Sequence, residues 1–140
     1  MSVTYRQMQK EDIAKALPIF AEYLNETDIH WSDTLAQSHV EQMIDLPTSF
    51  CLLAEDDHSP VGFAVGRFDD TNGLKAYVLT ALYASPEYCE QGMAKAILQV
   101  LESKVKESGA AVILLELSTD AYEDAFKELG YNTALKIKKI

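Results

Sequence analysis

The sequence predicts one α/β (α+β) domain, residues 1–140, in which helices flank both faces of a single mixed β-sheet. Three observations support this prediction. The chain has 140 residues and a mass of 15.6 kDa, the usual size of one domain. Strand patterns joined by turn residues in the middle of the chain indicate antiparallel hairpins. A long strand pattern, an amphipathic helix and an apolar strand pattern then follow in succession, as in a parallel crossover.

The first predicted elements are a strand and two helices. Alternating β-branched and aromatic residues predict a strand over residues 2–7. Apolar residues at helical spacing predict a helix between residues 13 and 24, with Pro18 inside it. A second helix is predicted to begin at Ser32 or Asp33, which both favour N-cap positions, and to end before Pro47.

Three predicted strands follow the helices. Residues 50–55 and 61–68 are predicted as strands, and residues 56–60 form a five-residue loop whose composition suits a hairpin. Residues 69–73 are predicted to form the next turn, and residues 74–83 a long strand.

The second half of the chain contains the clearest helix pattern, which begins at Gly92. Its apolar stripe consists of Ala94, Ile97, Leu98, Leu101 and Val105. Residues 111–117 form an apolar run, interrupted by Glu116, that predicts a strand covered on both faces. Residues 121–129 then predict a short helix, and residues 131–140 a last strand. The predicted element order is therefore β-α-α-β-β-β-α-β-α-β.

Composition excludes several classes of function. Twelve basic against 22 acidic residues give a net charge of −10, so we expect no nucleic-acid partner. No apolar run approaches the roughly 18 residues of a membrane span, and charges in the first 20 residues argue against a signal peptide. We therefore expect no membrane partner and a cytoplasmic location. Cys51 and Cys89 provide neither a disulfide scaffold nor the spacing of a zinc site, so no metal is expected.

The negative charge is unevenly distributed. Residues 1–70 hold 13 acids and four bases, whereas residues 71–140 hold nine acids and eight lysines. One interpretation is that carboxylates solvate helix faces and turns. The other is that the first half presents an acidic surface to a cationic ligand.

The turn between the long strand and the clearest helix has the features of an anion site. Gly92 and the small Ala94 let a ligand approach the backbone, and amides at a helix start lack intrahelical partners. The helix dipole also favours negative charge there, as a diphosphate would supply. Close packing of helix against strand is the alternative explanation.

Two segments resemble motifs of the GNAT superfamily of N-acetyltransferases. The run 82–94 resembles the acetyl-CoA motif of that family, L-x-V-x-P-E-x-R-G-x-G-x-G/A, and residues 125–131 resemble its A/L-Y-E-K-L-G-F segment. The first run is Leu82-Tyr83-Ala84-Ser85-Pro86-Glu87-Tyr88-Cys89-Glu90-Gln91-Gly92-Met93-Ala94, and the second is Ala125-Phe126-Lys127-Glu128-Leu129-Gly130-Tyr131. The predicted element order also matches. The resemblance implies a centrally splayed sheet and direct transfer of an acetyl group from acetyl-CoA to an amine.

The resemblance also implies positions for acetyl-CoA. The pantetheine arm would lie against the backbone of Leu82, Tyr83 and Ala84, where an amide would stabilise the developing oxyanion. Phe126 would flank the thioester, and Thr119 takes the place of the usual Asn. The diphosphate would bind the amides of Cys89, Glu90, Gln91, Gly92, Met93 and Ala94, with Lys95 as an accessory contact.

Besides Thr119, three residues depart from the family pattern. Cys89 replaces the usual Arg or Gln, Glu90 replaces Gly, and Phe126 replaces the tyrosine that commonly acts as general acid. These departures leave open an alternative function, a GNAT-like module that binds CoA or another ligand with little or no turnover.

The candidate catalytic residues follow from the resemblance, because the family acid is missing at Phe126 and because the first helix pair and the hairpin ends border the acceptor side in relatives. Tyr122, one helical turn before Phe126, and Ser85 are the candidate acids, although Tyr122 also suits ordinary packing. Cys89 at a helix start suits either a reactive thiol or a small filler. The candidate bases are Glu22, Glu26, His30, Asp69 and Asp70. His30 is preferred among them because imidazole titrates in the useful pH range.

The acceptor and the assembly are predicted from charge. Because the acids lie in the half that borders the acceptor in relatives, we expect a small, cationic amine such as a polyamine, an amine metabolite or an aminoglycoside. The C-terminal strand pattern interleaves Leu135, Ile137 and Ile140 with lysines. This edge favours a homodimer through its apolar residues, while the lysines equally discourage edge pairing.

Overall fold

The computed structural model describes residues 3–25, 33–71, 73–117 and 121–140. The predicted element order is confirmed, with two short additions: a 3-10 turn before the first helix and a one-turn helix after the long strand. The strands are β1 (Val3–Gln7), β2 (Ser49–Asp56), β3 (Ser59–Thr71), β4 (Leu74–Ala84), β5 (Val112–Leu115) and β6 (Ile137–Lys139). The helices are a 3-10 turn (Lys10–Asp12), α1 (Ile13–Asn25), α2 (Asp33–Asp45), α3 (Pro86–Cys89), α4 (Met93–Glu107) and α5 (Glu123–Glu128). Within these ranges, no helix has both the length and the apolar character needed to span a bilayer.

The six strands form one mixed sheet in chain order, β1 to β6. All neighbours are antiparallel except β4 and β5, which are parallel and joined through α3 and α4. The predicted mixed sheet and its parallel crossover are therefore confirmed.

Helices cover both faces of the sheet, as predicted. On one face, α4 packs its apolar stripe against β3 and β4, and Ile97, Leu98 and Leu101 are fully buried. We call this the α4 face. On the other face, α1 and α2 pack against Leu53, Phe63 and neighbouring residues of the sheet. We call this the α1–α2 face. Each residue of a strand faces one of these two cores because side chains alternate along a strand.

The hairpin between β2 and β3 is tighter than predicted. Asp56 pairs with Ser59, so the connection has two residues where the composition predicts five. Asp57 and His58 adopt φ angles of 50° and 68°, which a two-residue hairpin turn needs at both central positions. Asp tolerates this region better than most residues, and so does His.

The last predicted strand is present but shorter than the predicted residues 131–140. β6 contains only Ile137–Lys139, because Asn132 organises a turn just before it. The Asn132 side-chain oxygen accepts hydrogen bonds from the amides of Ala134 (3.1 Å) and Leu135 (3.0 Å). Local bonds of this kind compete with a strand ladder. The predicted homodimer through this edge stays a prediction.

Four charged side chains tie β1 and β2 to the start of α1. The buried Glu55 accepts hydrogen bonds from Arg6 and Lys15, both at 2.6 Å. Arg6 also binds both carboxylate oxygens of Asp12 at 2.8 Å. The hydrogen bond from Arg6 lowers the pKa of Asp12. Burial alone would raise the pKa of Glu55, but the bonds from Arg6 and Lys15 outweigh it and the pKa is lowered.

This cluster predicts acid lability. Since the two carboxyl pKa values lie below their ordinary 3.8 and 4.5, the unfolded state binds more protons. The stabilisation is therefore complete above those ordinary values and is lost as the pH falls below them. We expect Asp12→Asn to lower the free energy of unfolding at pH 7 by about 2 kcal/mol. The matched control Asp45→Asn removes an exposed pair with Lys10 at 3.5 Å and should change it little. Urea denaturation at pH 7 and pH 3 measures the free energy of unfolding of both variants. Equal losses of this free energy for Asp12→Asn and Asp45→Asn would contradict the prediction.

Candidate functional site

The central feature of the site is a gap in the sheet beside β4. Among the described residues, β5 pairs with β4 from Ala76 to Leu79, whereas β4 continues to Ala84. We call the stretch of β4 that has lost its β5 partner, residues 80–84, the splay. The resemblance implied this opening, in which one side of the β4 backbone has no strand partner among the described residues.

A bulge at Thr80 turns a new set of amides toward the splay. Val65 of β3 pairs with Ala81 and Gly66 pairs with Leu79, so Thr80 is an extra residue in β4. The Ser85 amide donates to Val61 of β3 at 2.9 Å, and the Ala84 amide donates away from β3 to the Tyr122 hydroxyl at 3.1 Å. Alternation therefore directs the Leu82 amide into the splay as well.

The predicted seat for a diphosphate is narrower than residues 89–94. The amides of Cys89 and Glu90 donate to the carbonyls of Ser85 and Pro86, at 2.8 and 3.2 Å. The amides of Gln91 and Gly92 likewise donate to Tyr88 and Cys89 at 3.0 and 3.1 Å. These four amides close the α3 turn. Within the predicted seat, the amides without such a partner are therefore those of the first turn of α4, residues 93–95, because helical amides there precede the first intrahelical bond, Ala96 to Gly92.

Gly92 leaves room at the start of α4. Its φ of 82° is in the left-handed region, which favours glycine. A Cβ placed on Gly92 would meet no atom within 4 Å. The space around a side chain at Gly92 is therefore open, and no described side chain fills it.

Charged groups of both signs surround the α4 start. Lys95 forms an ion pair with Glu128 of α5 at 3.4 Å, and both side chains are largely exposed. Glu90 is exposed just before Gly92. The Tyr88 hydroxyl donates to Asp56 at 2.6 Å, and this bond raises the pKa of Tyr88 to about 12. This hydrogen bond links the α3 turn to the β2–β3 hairpin.

Several predicted residues converge on the α4 face of the splay. Leu82, Ala84, Met93, Ala94, Tyr122 and Phe126 belong to one buried cluster. The Phe126 ring packs edge to face on Tyr131 at 5.1 Å, which confines it to the core beside Tyr122. Tyr122 is the member of this cluster whose hydroxyl contacts a β4 amide.

Other predicted residues lie elsewhere. Tyr83 faces the α1–α2 side, where its hydroxyl donates to Glu22 at 3.1 Å. Ser85 caps α3 with its backbone. Asp69 pairs with Ala76 at the other end of β4 from the splay, about 14 Å away along the strand, and Asp70 lies beyond it. His30, Glu26 and Thr119 lie outside the described residues.

The sequence prediction missed a charged pair at the inner end of the splay. Arg67 of β3 and Glu116, directly after β5, form an ion pair at 3.2 Å across β4. The Glu116 amide donates to Leu79 at 2.9 Å, next to the bulge. Glu116 stood out as a charge in an apolar run, but sequence alone did not decide between pairing at a sheet end and lining a cleft. No pattern in the sequence marked Arg67 as a residue of the site.

No group of three or more His, Cys, Asp and Glu side chains is arranged to hold a metal in the part of the chain that the structure describes. Cys51 is buried, and burial raises its pKa to about 11, so its thiol is protonated near neutral pH.

Comparison with known families gives one match. The model of the acetyltransferase (GNAT) family matches residues 16–131. This range covers the splay, the α4 start and α5. A search of curated protein sequences finds no significant match.

Solved structures share the fold at low sequence identity. A ribosomal-protein-alanine N-acetyltransferase from Brucella melitensis biovar Abortus is 20% identical with a TM-score of 0.76, covering 91% of this chain and 90% of that chain. A predicted acetyltransferase from Clostridium acetobutylicum, determined with acetyl-CoA, is 19% identical with a TM-score of 0.75, covering 94% and 90%. An aminoglycoside acetyltransferase from an uncultured soil metagenomic sample, in complex with sisomicin, is 12% identical with a TM-score of 0.72, covering 94% and 88%.

Proposed function

Because the chain belongs to the GNAT acetyltransferase family, we propose that it transfers the acetyl group of acetyl-CoA directly to the amine of a small acceptor. The observation that carries this proposal is the pairing of two features. An open helix start at Gly92 lies beside a splay with inward-facing amides of β4. The first suits a diphosphate and the second suits the thioester arm.

The residues present fit acetyl-CoA. The amides of residues 93–95 bind the diphosphate, the open space at Gly92 admits it, and Lys95 contributes a cation once it leaves Glu128. The amides of Leu82 and Ala84 lie along the splay for the pantetheine arm. The Ala84 amide now donates a hydrogen bond to the Tyr122 hydroxyl, and this bond has to break before the amide can bind the pantetheine arm.

Acetyl-CoA supplies an acetyl thioester with an electrophilic carbonyl carbon. The acceptor nitrogen forms a C–N bond to that carbon while the C–S bond breaks, the nitrogen loses one proton, and the sulfur leaves as a thiolate that gains one. The Leu82 amide stabilises the negative charge that develops on the carbonyl oxygen. Tyr122 provides the proton for the sulfur, in place of the family tyrosine that Phe126 replaces.

The acceptor enters from the α1–α2 face. The diphosphate seat is on the α4 side of the sheet, so the opposite face remains for the amine. Glu116 lies at the inner end of the splay on this route, and Glu22 lies nearby on α1. The negative charge of these carboxylates attracts an acceptor in its ammonium form. The carboxylates also accept the proton that the ammonium group loses and pass it to solvent. His30 remains the base proposed from sequence.

The test combines binding and turnover. Isothermal calorimetry with acetyl-CoA should show saturable binding, and a thiol-release assay over a panel of amines should show CoA formation. A known family member is assayed in parallel as the positive control. Binding without CoA release would support the alternative of a CoA-binding module, to which the changes at Cys89, Glu90 and Phe126 point. Absence of binding would contradict both functions.

The charge of Glu90 predicts a change in CoA affinity. Since its exposed carboxylate precedes the diphosphate seat, we expect Glu90→Gln to strengthen CoA binding about threefold. Glu107→Gln is the matched control, because it removes the same charge about 20 Å away at the other end of α4. Calorimetry at low and high salt measures both variants, and the gain should shrink at high salt. If Glu107→Gln strengthens binding equally, net charge and not the position of Glu90 is responsible.

A further inference from the structure

We infer that the acceptor is an apolar α-amino acid, whose carboxylate binds Arg67 and whose ammonium group binds Glu116. This inference rests on the proposed acetyl transfer and narrows its acceptor class. It replaces the polyamine or aminoglycoside expected from the charge of residues 1–70.

The position of the Arg67–Glu116 pair is the first argument. Arg67 lies opposite Val78, and the Glu116 amide bonds to Leu79, so both lie just before the bulge at Thr80. The Leu82 amide lies three residues beyond Leu79, about 10 Å along the strand. An amine held at Glu116 is therefore at the inner end of the splay, from which it has to reach the carbon beside Leu82.

The exposure of the pair is the second argument. The Arg67 and Glu116 side chains are 37% and 61% exposed, and their contact is a single one at 3.2 Å. Such a surface pair contributes little to stability, so a ligand can replace it at low cost. Opposite charges lie side by side here, as an ammonium group and a carboxylate do in an amino acid. The planar guanidinium binds a carboxylate through two parallel hydrogen bonds.

The cleft beside Arg67 is the third argument. It has a volume of about 170 Å³ and lies between the end of α2 and the bulge. Met43, Leu46 and Val65 form its apolar wall, and Leu46 is 52% exposed although it is a large apolar residue. Arg67 is the charged residue of this lining. An aliphatic side chain fits such a cleft, whereas a second or third ammonium group of a polyamine would face a guanidinium.

Several acidic side chains of residues 1–70 already form ion pairs or hydrogen bonds with other residues of the protein. Asp12 and Glu55 bind Arg6 and Lys15, Asp45 pairs with Lys10, and Asp56 accepts the Tyr88 hydroxyl. The uneven charge distribution therefore does not by itself mark the acceptor cleft as a polycation site.

The kinetic test compares acceptors that differ in the carboxylate alone. L-leucine, L-leucinamide and isoamylamine share the side chain, and spermidine represents the polyamines. We expect kcat/KM for leucine to exceed that for leucinamide, isoamylamine and spermidine by at least tenfold. Arg67→Gln should lower kcat/KM for leucine at least tenfold, mainly through KM, and leave isoamylamine within about twofold. Lys104→Gln, which removes the same charge from the last turn of α4, should leave both unchanged.

A second readout does not require turnover. The chain has two arginines, Arg6 and Arg67, so their side-chain Nε–H signals are easily distinguished by NMR. With CoA present, leucine should shift the Arg67 signal, while Arg6, held by Asp12 and Glu55, serves as the internal control. Equal or faster turnover of spermidine or leucinamide, equal losses for all acceptors in Arg67→Gln, or an unmoved Arg67 signal would overturn the inference. Failure of the proposed function itself would appear separately, as no binding of acetyl-CoA in calorimetry.

Discussion

Replacing Gly92 with valine is expected to weaken acetyl-CoA binding at least about hundredfold, the equivalent of two lost charge-assisted hydrogen bonds. The Gly92 position is open, since a Cβ placed there meets no atom within 4 Å, and this open space is where we propose that the diphosphate binds. A branched side chain there separates phosphate from the amides of residues 93–95. Calorimetry with acetyl-CoA measures the loss directly.

The control for this variant separates strain from occlusion. Gly73, in the β3–β4 turn, has a φ of 79° and the same open space around a Cβ as Gly92 with its φ of 82°. Both valine variants should lose about 1–2 kcal/mol of stability because a side chain disfavours the left-handed region. Only Gly92→Val should lose binding. If Gly92→Val binds acetyl-CoA as tightly as the wild type, the diphosphate does not bind at this helix start.

The Tyr122→Phe variant is expected to lower kcat by about two orders of magnitude while acetyl-CoA affinity is kept or improved. The loss follows from removing the proposed proton donor for the departing sulfur. Affinity does not fall because the same substitution removes the hydroxyl that now holds the Ala84 amide at 3.1 Å. Steady-state kinetics and calorimetry give the two quantities independently.

Tyr131→Phe is the matched control for Tyr122→Phe. Tyr131 is also buried and packs on Phe126. Its ring, however, contacts Lys138 of β6 and lies on the side of the core between α4 and β6. The kcat of the Tyr131→Phe enzyme should stay within about threefold of the wild-type kcat. A Tyr122→Phe enzyme with wild-type kcat would show that another group protonates the sulfur, and the hydroxyl would then have a packing role.

The elements with strong periodicity were predictable from the sequence. The apolar stripe of α4 and the long β4 strand fix the parallel crossover, and turn residues around residue 57 indicate the first hairpin. Local interactions that pattern does not encode caused the errors. The Asn132 turn delays the start of the predicted last strand to Ile137, and positive φ at Asp57 and His58 shortens a loop.

The site was only partly predictable, for a physical reason. Motif spacing identified the α4 start, because a glycine and the residues after it are contiguous in sequence. The amides that the α3 turn uses for its own hydrogen bonds, from Cys89 to Gly92, are visible only in three dimensions. The Arg67–Glu116 pair joins residues 49 positions apart, and a bulge at Thr80 decides which β4 amides face the splay. Neither feature has a sequence pattern.

Binding of CoA at the α4 start and along the splay is measured by titrating the 15N-labelled protein with CoA and following the backbone amides by NMR. We expect the largest shifts at the amides of residues 93–95, Leu82 and Ala84, with little change at Gly73 and Gly130. The Ala84 signal should report the exchange of the Tyr122 hydroxyl for the pantetheine arm. Saturable CoA binding that leaves the amides of residues 93–95 unmoved and shifts another surface would contradict binding of CoA at the α4 start.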